Sequence, residues 1–310
     1  MGTYVTVWFW TDKEADAAKA AESVFNEMKR LDATMTTWTD TSEVSKVNAA
    51  AGGKPVAVGP ETFEVIERAL DISKKSGGLF DISFGAFKGV WKFDEDMDHS
   101  LPSEEDVKAR LKLVNYKDIA VDKKKRTVLL KKKGMYINLG GIAKGYAVDK
   151  CVTMLKKAGF KDFMLQAGGD MYVAGKKGND PWVVGIRDPR GERDDMFALM
   201  PIEDHSFSTS GDYERGFVKD GVRYHHILDP RTGHPATASR SVTIRTKDAF
   251  TADAWSKVMF IAGVKEGEAI IKKYKLKDFD VVWVDDKNEV HMTEAIGKQL
   301  QMRKQPTPGP

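Results

Sequence analysis

Apolar and polar positions alternate through residues 4–10, YVTVWFW, as they do along a strand with one buried face. The spacing then shifts to that of a helix. Ala18, Ala21, Phe25, Met28 and Leu31 fall on one side, and Thr11 and Glu14 stand at the spacing of a capping box. A second helix is predicted over Glu61–Ser76, with Phe63, Ile66, Leu70 and Ser73 on one face and Gly77-Gly78 as its stop. Strand-like segments follow at 126–138, 162–174, 181–187, 222–228, 240–246 and 280–291. This irregular mixture predicts an α+β protein, with mixed or antiparallel sheets flanked by helices, rather than a doubly wound sheet. Its length, 310 residues, suits one large domain or two closely packed lobes. No internal repeat or long linker divides the chain. One domain is expected over 1–303, followed by a disordered Pro-rich tail, 304–310.

Composition narrows the function. Hydrophobic residues make up 41% and charged residues 31%, and the mean hydropathy of −0.42 is that of a soluble protein. Lys plus Arg (49) nearly balance Asp plus Glu (46), which argues against a wholesale nucleic-acid binder. The basic run 122–133, DKKKRTVLLKKK, lacks interleaved aromatics and reads as an exposed hairpin. A single cysteine, Cys151, excludes an intramolecular disulfide and a cysteine-built zinc site; it reads as a small buried apolar residue. No apolar stretch is long enough to span a bilayer, and no signal peptide is recognisable.

The stretch 138–150, NLGGIAKGYAVDK, reads as strand, tight turn and helix. Met135 to Asn138 is strand-like. Gly140-Gly141 allow unusual backbone angles and close approach of a ligand. Ala143, Ala147, Cys151, Leu155 and Ala158 then recur at helical spacing. The N–H groups at the start of such a helix attract an anion, and Lys144 adds a full charge. The P-loop pattern fails, because lysine precedes the last glycine and no Ser/Thr follows it, and the G-x-G-x-x-G pattern fails as well. A structural turn and a phosphate site fit this stretch equally well.

Other clusters bear on that choice. A second glycine turn, 166–175, ends its glycine pair with Asp170, and 206–215 crowds Ser208, Thr209, Ser210 and Gly211 into a loop-like composition. Residues 223–236, RYHHILDPRTGHPA, pair two histidines with Asp229 and Arg231. In a strand these imidazoles point to opposite faces, so at most one enters a site, where it could act as a base near neutral pH. Asp253 and Lys257 lie four apart on a helix start; the ordinary reading of that spacing is a solvent-exposed ion pair. Histidines do not recur at zinc or iron spacing, whereas a hard cation on Asp253 and backbone carbonyls stays open.

Eight segments in register resemble the ApbE-type FAD:protein FMN transferases: 1–7, 36–48, 77–87, 138–149, 166–170, 208–215, 225–235 and 251–257. The resemblance implies an FAD cleft between two lobes and magnesium-dependent cleavage of the FAD pyrophosphate. AMP leaves, and FMN is esterified to a Thr or Ser hydroxyl of a target flavoprotein. By the same resemblance Met1, Trp38, Gly85, Ala86 and Phe87 line the flavin or adenosine pocket, and Leu228 packs on the cofactor. Asn138 and Lys144 contact FAD. Gly141 offers its carbonyl and Asp253 its carboxylate to Mg²⁺. His226 is the general base. The expected acceptors are subunits of membrane redox complexes.

Two features depart from the family pattern. Lys257 stands where the family usually has a metal-ligating threonine, and a protonated lysine has no lone pair to give. Either Lys257 takes over part of the cation's work or the metal sits displaced. Asn138 stands where many members have Asp, which removes a charge near the pyrophosphate. Family members usually begin with a signal or lipoprotein segment, so the resemblance implies a mature or trimmed periplasmic form, free or membrane-anchored through a missing N-terminal segment, with a cytoplasmic protein as the alternative. Two other activities compete: an FAD pyrophosphatase that uses water as acceptor, and a non-enzymatic FAD carrier.

Overall fold

The computed structural model describes residues 2–93 and 96–309. Met1, expected at the cofactor, lies outside the described residues. In chain order the elements are β1 (Val5–Phe9), α1 (Glu14–Met35), α2 (Glu43–Ala49), β2 (Val56–Ala57), α3 (Pro60–Lys75), α4 (Glu104–Leu111), β3 (Ile119–Asp122) and β4 (Thr127–Leu130). Then come α5 (Ala143–Lys157), β5 (Phe163–Ala167), β6 (Asp170–Ala174), β7 (Trp182–Arg187), β8 (Met196–Ile202), β9 (His205–Gly211), β10 (Gly216–Lys219) and β11 (Val222–His225). The chain closes with β12 (Ser239–Thr246), α6 (Ala249–Tyr274), β13 (Asp280–Asp285), β14 (Val290–Met292), α7 (Glu294–Gly297) and β15 (Gln301–Met302).

These elements form two compact units. The first comprises Met1–Arg30, Lys144–Tyr213 and Thr237–Pro310; the second comprises Leu31–Ala143 and Glu214–Ala236. The first unit holds a seven-stranded sheet in the order β1-β5-β6-β9-β12-β13-β14, antiparallel at every pairing. α6 packs across β9 and β12. A smaller sheet, β15-β8-β7, shares a core with the large one, in which Phe207, Val282 and Val284 meet Phe197, Met200 and Ile202. Burying one such side chain stabilises by about 1.5–3 kcal/mol. The second unit carries the small sheets β2-β4-β3 and β10-β11, and a core built around Phe87, Trp91, Phe93, Val107, Phe217 and Leu228.

Several expectations hold. The basic run is the β3–β4 hairpin, whose turn is closed by Arg126 at φ 48°. Cys151 is fully buried on α5. Helix α3 buries Phe63, Ile66 and Ser73 as expected.

Others need correction. In α1 the buried residues are Ala17, Val24, Met28, Leu31 and Met35, while Phe25 is exposed. Thr11 Oγ1 accepts the N–H of Lys13 at 3.2 Å, which is a turn ahead of the helix and not the expected capping box. The strand expected over 126–138 ends at Leu130. From Met135 to Asn138 the backbone bonds elsewhere: the Asn48 side chain pairs with both the N–H (2.7 Å) and the C=O (2.9 Å) of Ile137, and the Asn138 N–H donates to Ile82 O at 2.9 Å. The 206–211 stretch, loop-like by composition, is strand β9 in the middle of the large sheet. Residues of the Pro-rich tail make specific contacts with the rest of the first unit. The Thr307 N–H and hydroxyl bond the buried Asp188 carboxylate, Lys304 pairs with it at 2.8 Å, and Asn288 Nδ2 bonds Pro306 O at 2.7 Å.

Candidate active site

The first unit gathers four charged side chains: Lys144 of α5, Asp253 and Lys257 of α6, and Asp170 of β6. α5 begins directly after the Gly-Gly turn, so Lys144 lies on its first turn. α6 is capped by Asp248, whose side chain accepts the Thr251 N–H. The start of α6 is also anchored from α5: the Asp149 carboxylate accepts the N–H groups of Ala249 (2.7 Å) and Phe250 (2.9 Å). In return, Asp253 Oδ2 accepts the Gly145 N–H at 2.9 Å. The two helices approach so closely that a Cβ on Gly145 would lie 2.3 Å from Ala249 O and 2.8 Å from Asp253 Cβ.

Between these helices and the sheet sit two buried carboxylates and two ammonium groups. Lys144 Nζ lies 3.1 Å from Asp170 Oδ2 and 3.6 Å from Asp253 Oδ1. Lys257 pairs with the same Asp253 Oδ1 and donates to the Asp253 carbonyl at 2.9 Å. Asp170 opens β6 beside Ser208 of β9, whose hydroxyl bonds its other oxygen. The Asp253–Lys257 pair is therefore not the solvent-exposed pair its spacing suggested: Asp253 is 0% exposed, and Lys257 only 18%. Burial opposes ionisation of Asp253, but the charges of Lys144 and Lys257, with the hydrogen bonds from Lys257 and Gly145, outweigh it and hold its carboxyl below the usual range. Two buried carboxylates are thus neutralised by two lysines whose side chains are partly exposed.

The remaining expected site residues belong to the second unit. Asn138 Oδ1 accepts the Gly140 N–H at 2.7 Å, so it closes the glycine turn. Neither Gly140 nor Gly141 has the positive φ expected of the pair; at Gly140 the constraint is space, since a Cβ would lie 2.9 Å from Asn138 Oδ1. Gly85 is required by close packing, because a Cβ there would lie 2.8 Å from Tyr136 O and 2.9 Å from Asn138 N. Ala86, Phe87 and Leu228 are buried in this unit's core. Trp38 is 68% exposed, and Lys88 Nζ lies 5.7 Å from its ring centre and 2.9 Å from Tyr136 Oη. An exposed indole held beside a cation offers a face for a flat ring.

The two histidines separate cleanly. His225 is buried, with Nε2 bonded to Ala236 O at 2.8 Å and Nδ1 accepting the Ile227 N–H at 3.3 Å. Both of its nitrogens serve the fold. His226, just past β11, is half-buried, and its Nδ1 lies 3.3 Å from Arg215 O. A carbonyl only accepts, so Nδ1 carries the proton and Nε2 of the neutral ring carries the lone pair. Asp229 turns to Arg231, which it holds through Oδ2 at 2.7 Å.

Sequence reading passed over Asp149, Asn48, Lys88 and Tyr136. Asp149 lay within a motif already singled out, and its position one helical turn beyond Gly145 was the available signal. Lys88 and Tyr136 carried none, being 48 residues apart in the chain.

A family model described as the ApbE family matches residues 1–283. The chain belongs to the ApbE family. It is 31% identical over 291 residues to the FAD:protein FMN transferase of Klebsiella pneumoniae (strain 342), covering 94% of this chain and 88% of that protein. With the FAD:protein FMN transferase of Treponema pallidum (strain Nichols) it shares 33% identity over 290 residues, covering 88% and 80%. The crystal structure of the ApbE protein of Thermotoga maritima superposes with a TM-score of 0.85 at 33% identity, over 96% of this chain and 99% of that one. The flavin transferase ApbE of Vibrio cholerae, 24% identical, shares the fold with a TM-score of 0.82, over 96% of each chain.

Proposed function

We propose that this chain is an FAD:protein FMN transferase acting on a Thr or Ser hydroxyl of a target flavoprotein. The observation that carries this reading is the pairing of Lys144 of α5 and Lys257 of α6 with buried Asp170 of β6 and Asp253 of α6, in a chain whose relatives carry that name. Two ammonium groups suit the charge of a pyrophosphate and of the departing AMP. In the reaction, the acceptor oxygen attacks the phosphorus of the FMN half. The bond from that phosphorus to the bridging oxygen breaks, the electron pair leaves with AMP, and the acceptor proton passes to Nε2 of His226. A base in that role contributes on the order of 10²–10⁴-fold. Trp38, with Lys88 beside it, would stack on a ring of FAD, and the Asn138 turn would present backbone N–H groups. Subunits of membrane redox complexes are the proposed acceptors, with a periplasmic location as part of the same proposal.

The family implies a divalent metal on the Gly141 carbonyl and on Asp253. The side chains here do not fit one well. Lys257 has no lone pair and already holds the carboxylate oxygen a cation would need, while Gly145 holds the other. No step is therefore assigned to a metal.

The test is AMP release from FAD by the purified chain, with and without a flavoprotein domain bearing an acceptor threonine. AMP in step with covalent flavin on that domain is expected, and His226→Ala should slow both by roughly 10²–10⁴-fold while FAD still binds. AMP at the same rate with no flavin on any acceptor would replace the transferase with a pyrophosphatase. FAD binding without AMP would leave a carrier.

A further inference from the structure

We propose that Lys257 does the work of a divalent cation, so that this chain holds the FAD pyrophosphate with two ammonium groups and no metal bound at Asp253. The proposal deepens the transferase reading and rests on it for the identity of the ligand.

The geometry is that of an occupied site. Asp253 is wholly buried, and both of its carboxylate oxygens are taken. Oδ1 faces the ammonium groups of Lys257 and Lys144, and Oδ2 accepts the Gly145 N–H. The spacing of four residues along α6 returns the Lys257 side chain over its own helix to Asp253, and its second bond, to the Asp253 carbonyl at 2.9 Å, fixes it there. A divalent ion on this carboxylate would have to displace one ammonium and lie beside the other.

Charge points the same way. Asp170 and Asp253 against Lys144 and Lys257 make a neutral cluster. With a hydroxyl residue at 257 the same cluster would carry one net negative charge beside an anionic ligand, which a divalent ion would reverse. Lys257 removes that need. Its ammonium has three donors, of which two are used on Asp253, and one remains for a phosphate oxygen. Lys144 and Lys257 keep 21% and 18% of their side-chain surface exposed, unlike the two carboxylates beneath them.

The experiment compares the full chain with Lys257→Thr, Lys257→Met, Asp253→Asn and the Lys257→Thr/Asp253→Asn double variant. Manganese is the metal probe, read by the paramagnetic resonance of free Mn²⁺. FAD affinity is read by flavin fluorescence in chelator and in Mg²⁺. The unaltered chain should show no Mn²⁺ site that depends on Asp253, and its FAD affinity should differ less than twofold between chelator and Mg²⁺. Lys257→Thr should lose at least tenfold in FAD affinity in chelator, gain one Mn²⁺ per chain, and recover affinity in Mg²⁺. The double variant should lose that Mn²⁺. Lys257→Met should bind FAD weakly in both conditions. One Mn²⁺ per unaltered chain, abolished by Asp253→Asn, would overturn the proposal, as would unchanged FAD affinity of Lys257→Met in chelator. AMP release that stops in chelator and returns with Mg²⁺ would also overturn it. No AMP under either condition would overturn the transferase reading instead and leave the Mn²⁺ result standing.

Discussion

Gly145 donates its backbone N–H to the Asp253 carboxylate at 2.9 Å, at a point where α5 and α6 leave no room for a methyl group between them. Elsewhere in a helix, replacing glycine with alanine stabilises by about 0.5–1 kcal/mol, because glycine gives up more chain entropy on folding. Here the added Cβ would meet Ala249 O at 2.3 Å and Ala249 C at 2.7 Å, both backbone atoms that cannot turn aside. Overpacking of this kind costs about 1–3 kcal/mol. Gly145→Ala should therefore reverse the usual sign and lower the melting temperature, and it should weaken FAD binding by pushing Asp253 away from Lys144. A variant as stable as the parent would mean that the helices do not meet this closely.

How legible the sequence was depended on which rule local composition obeyed. β1 and β7 follow the alternation of strands with one buried face and were found, as was β12. β9 was not, because Ser206, Ser208, Thr209, Ser210 and Gly211 are the residues of turns. Their smallness has another cause. Ser208 bonds Asp170 and Ser210 bonds Ser256 of α6 at 2.7 Å, so this face of the strand carries hydroxyls where a helix lies close. Phe207, pointing the other way, packs into the core against the small sheet. For the site, the motif residues were visible but their arrangement was not. An i,i+4 Asp–Lys pair looks the same in sequence whether it faces water or lies beneath Lys144. The segment 135–138 misled for a related reason: a side chain, Asn48, replaces the ladder that its apolar residues suggested.

That Asn48 arrangement is testable. Its amide donates to Ile137 O and accepts from the Ile137 N–H, both out of contact with water. Removing it strands a buried donor and a buried acceptor, at roughly 1–3 kcal/mol for each. Asn48→Ala should lower stability to urea measurably. Asn48→Asp should do no better, because a carboxylate can take the N–H bond but only repels the carbonyl. Urea midpoints equal to the parent's in both variants would show that water takes the place of the amide.

Cys151 offers a check on burial in the first unit. Burial pushes its thiol up to about 12, with the Glu27 charge adding to the effect, and Sγ rests against Val24 O at 3.8 Å. The thiolate is the reactive form, so at pH 8 the native protein should release almost no thionitrobenzoate from Ellman's reagent. Denaturant should liberate one equivalent, since the chain has one cysteine. Prompt reaction of the native protein would place Cys151 nearer the surface than α5 puts it.

The C-terminal tail should respond to acid before the sheets do. Burial raises the Asp188 pKa, but hydrogen bonds from Lys304, Thr307 and the Arg190 N–H outweigh it and bring the carboxyl to about 2. In the unfolded chain an aspartate titrates near 3.9. The folded value is the lower one, so the carboxylate's contribution is complete above roughly pH 4, declines as the pH falls below it, and is gone once the pH has passed below about 2. Hydrogen exchange at Thr307, corrected for its intrinsic rate, should lose protection across that window while the β9 and β12 amides keep theirs. Asp188→Asn removes the charge that Lys304 pairs with, so at neutral pH it should already show the weakened tail and no further response to acid. Protection at Thr307 that stays level from pH 5 to pH 2 in the parent would show that the tail is held by β15 and Asn288 rather than by Asp188.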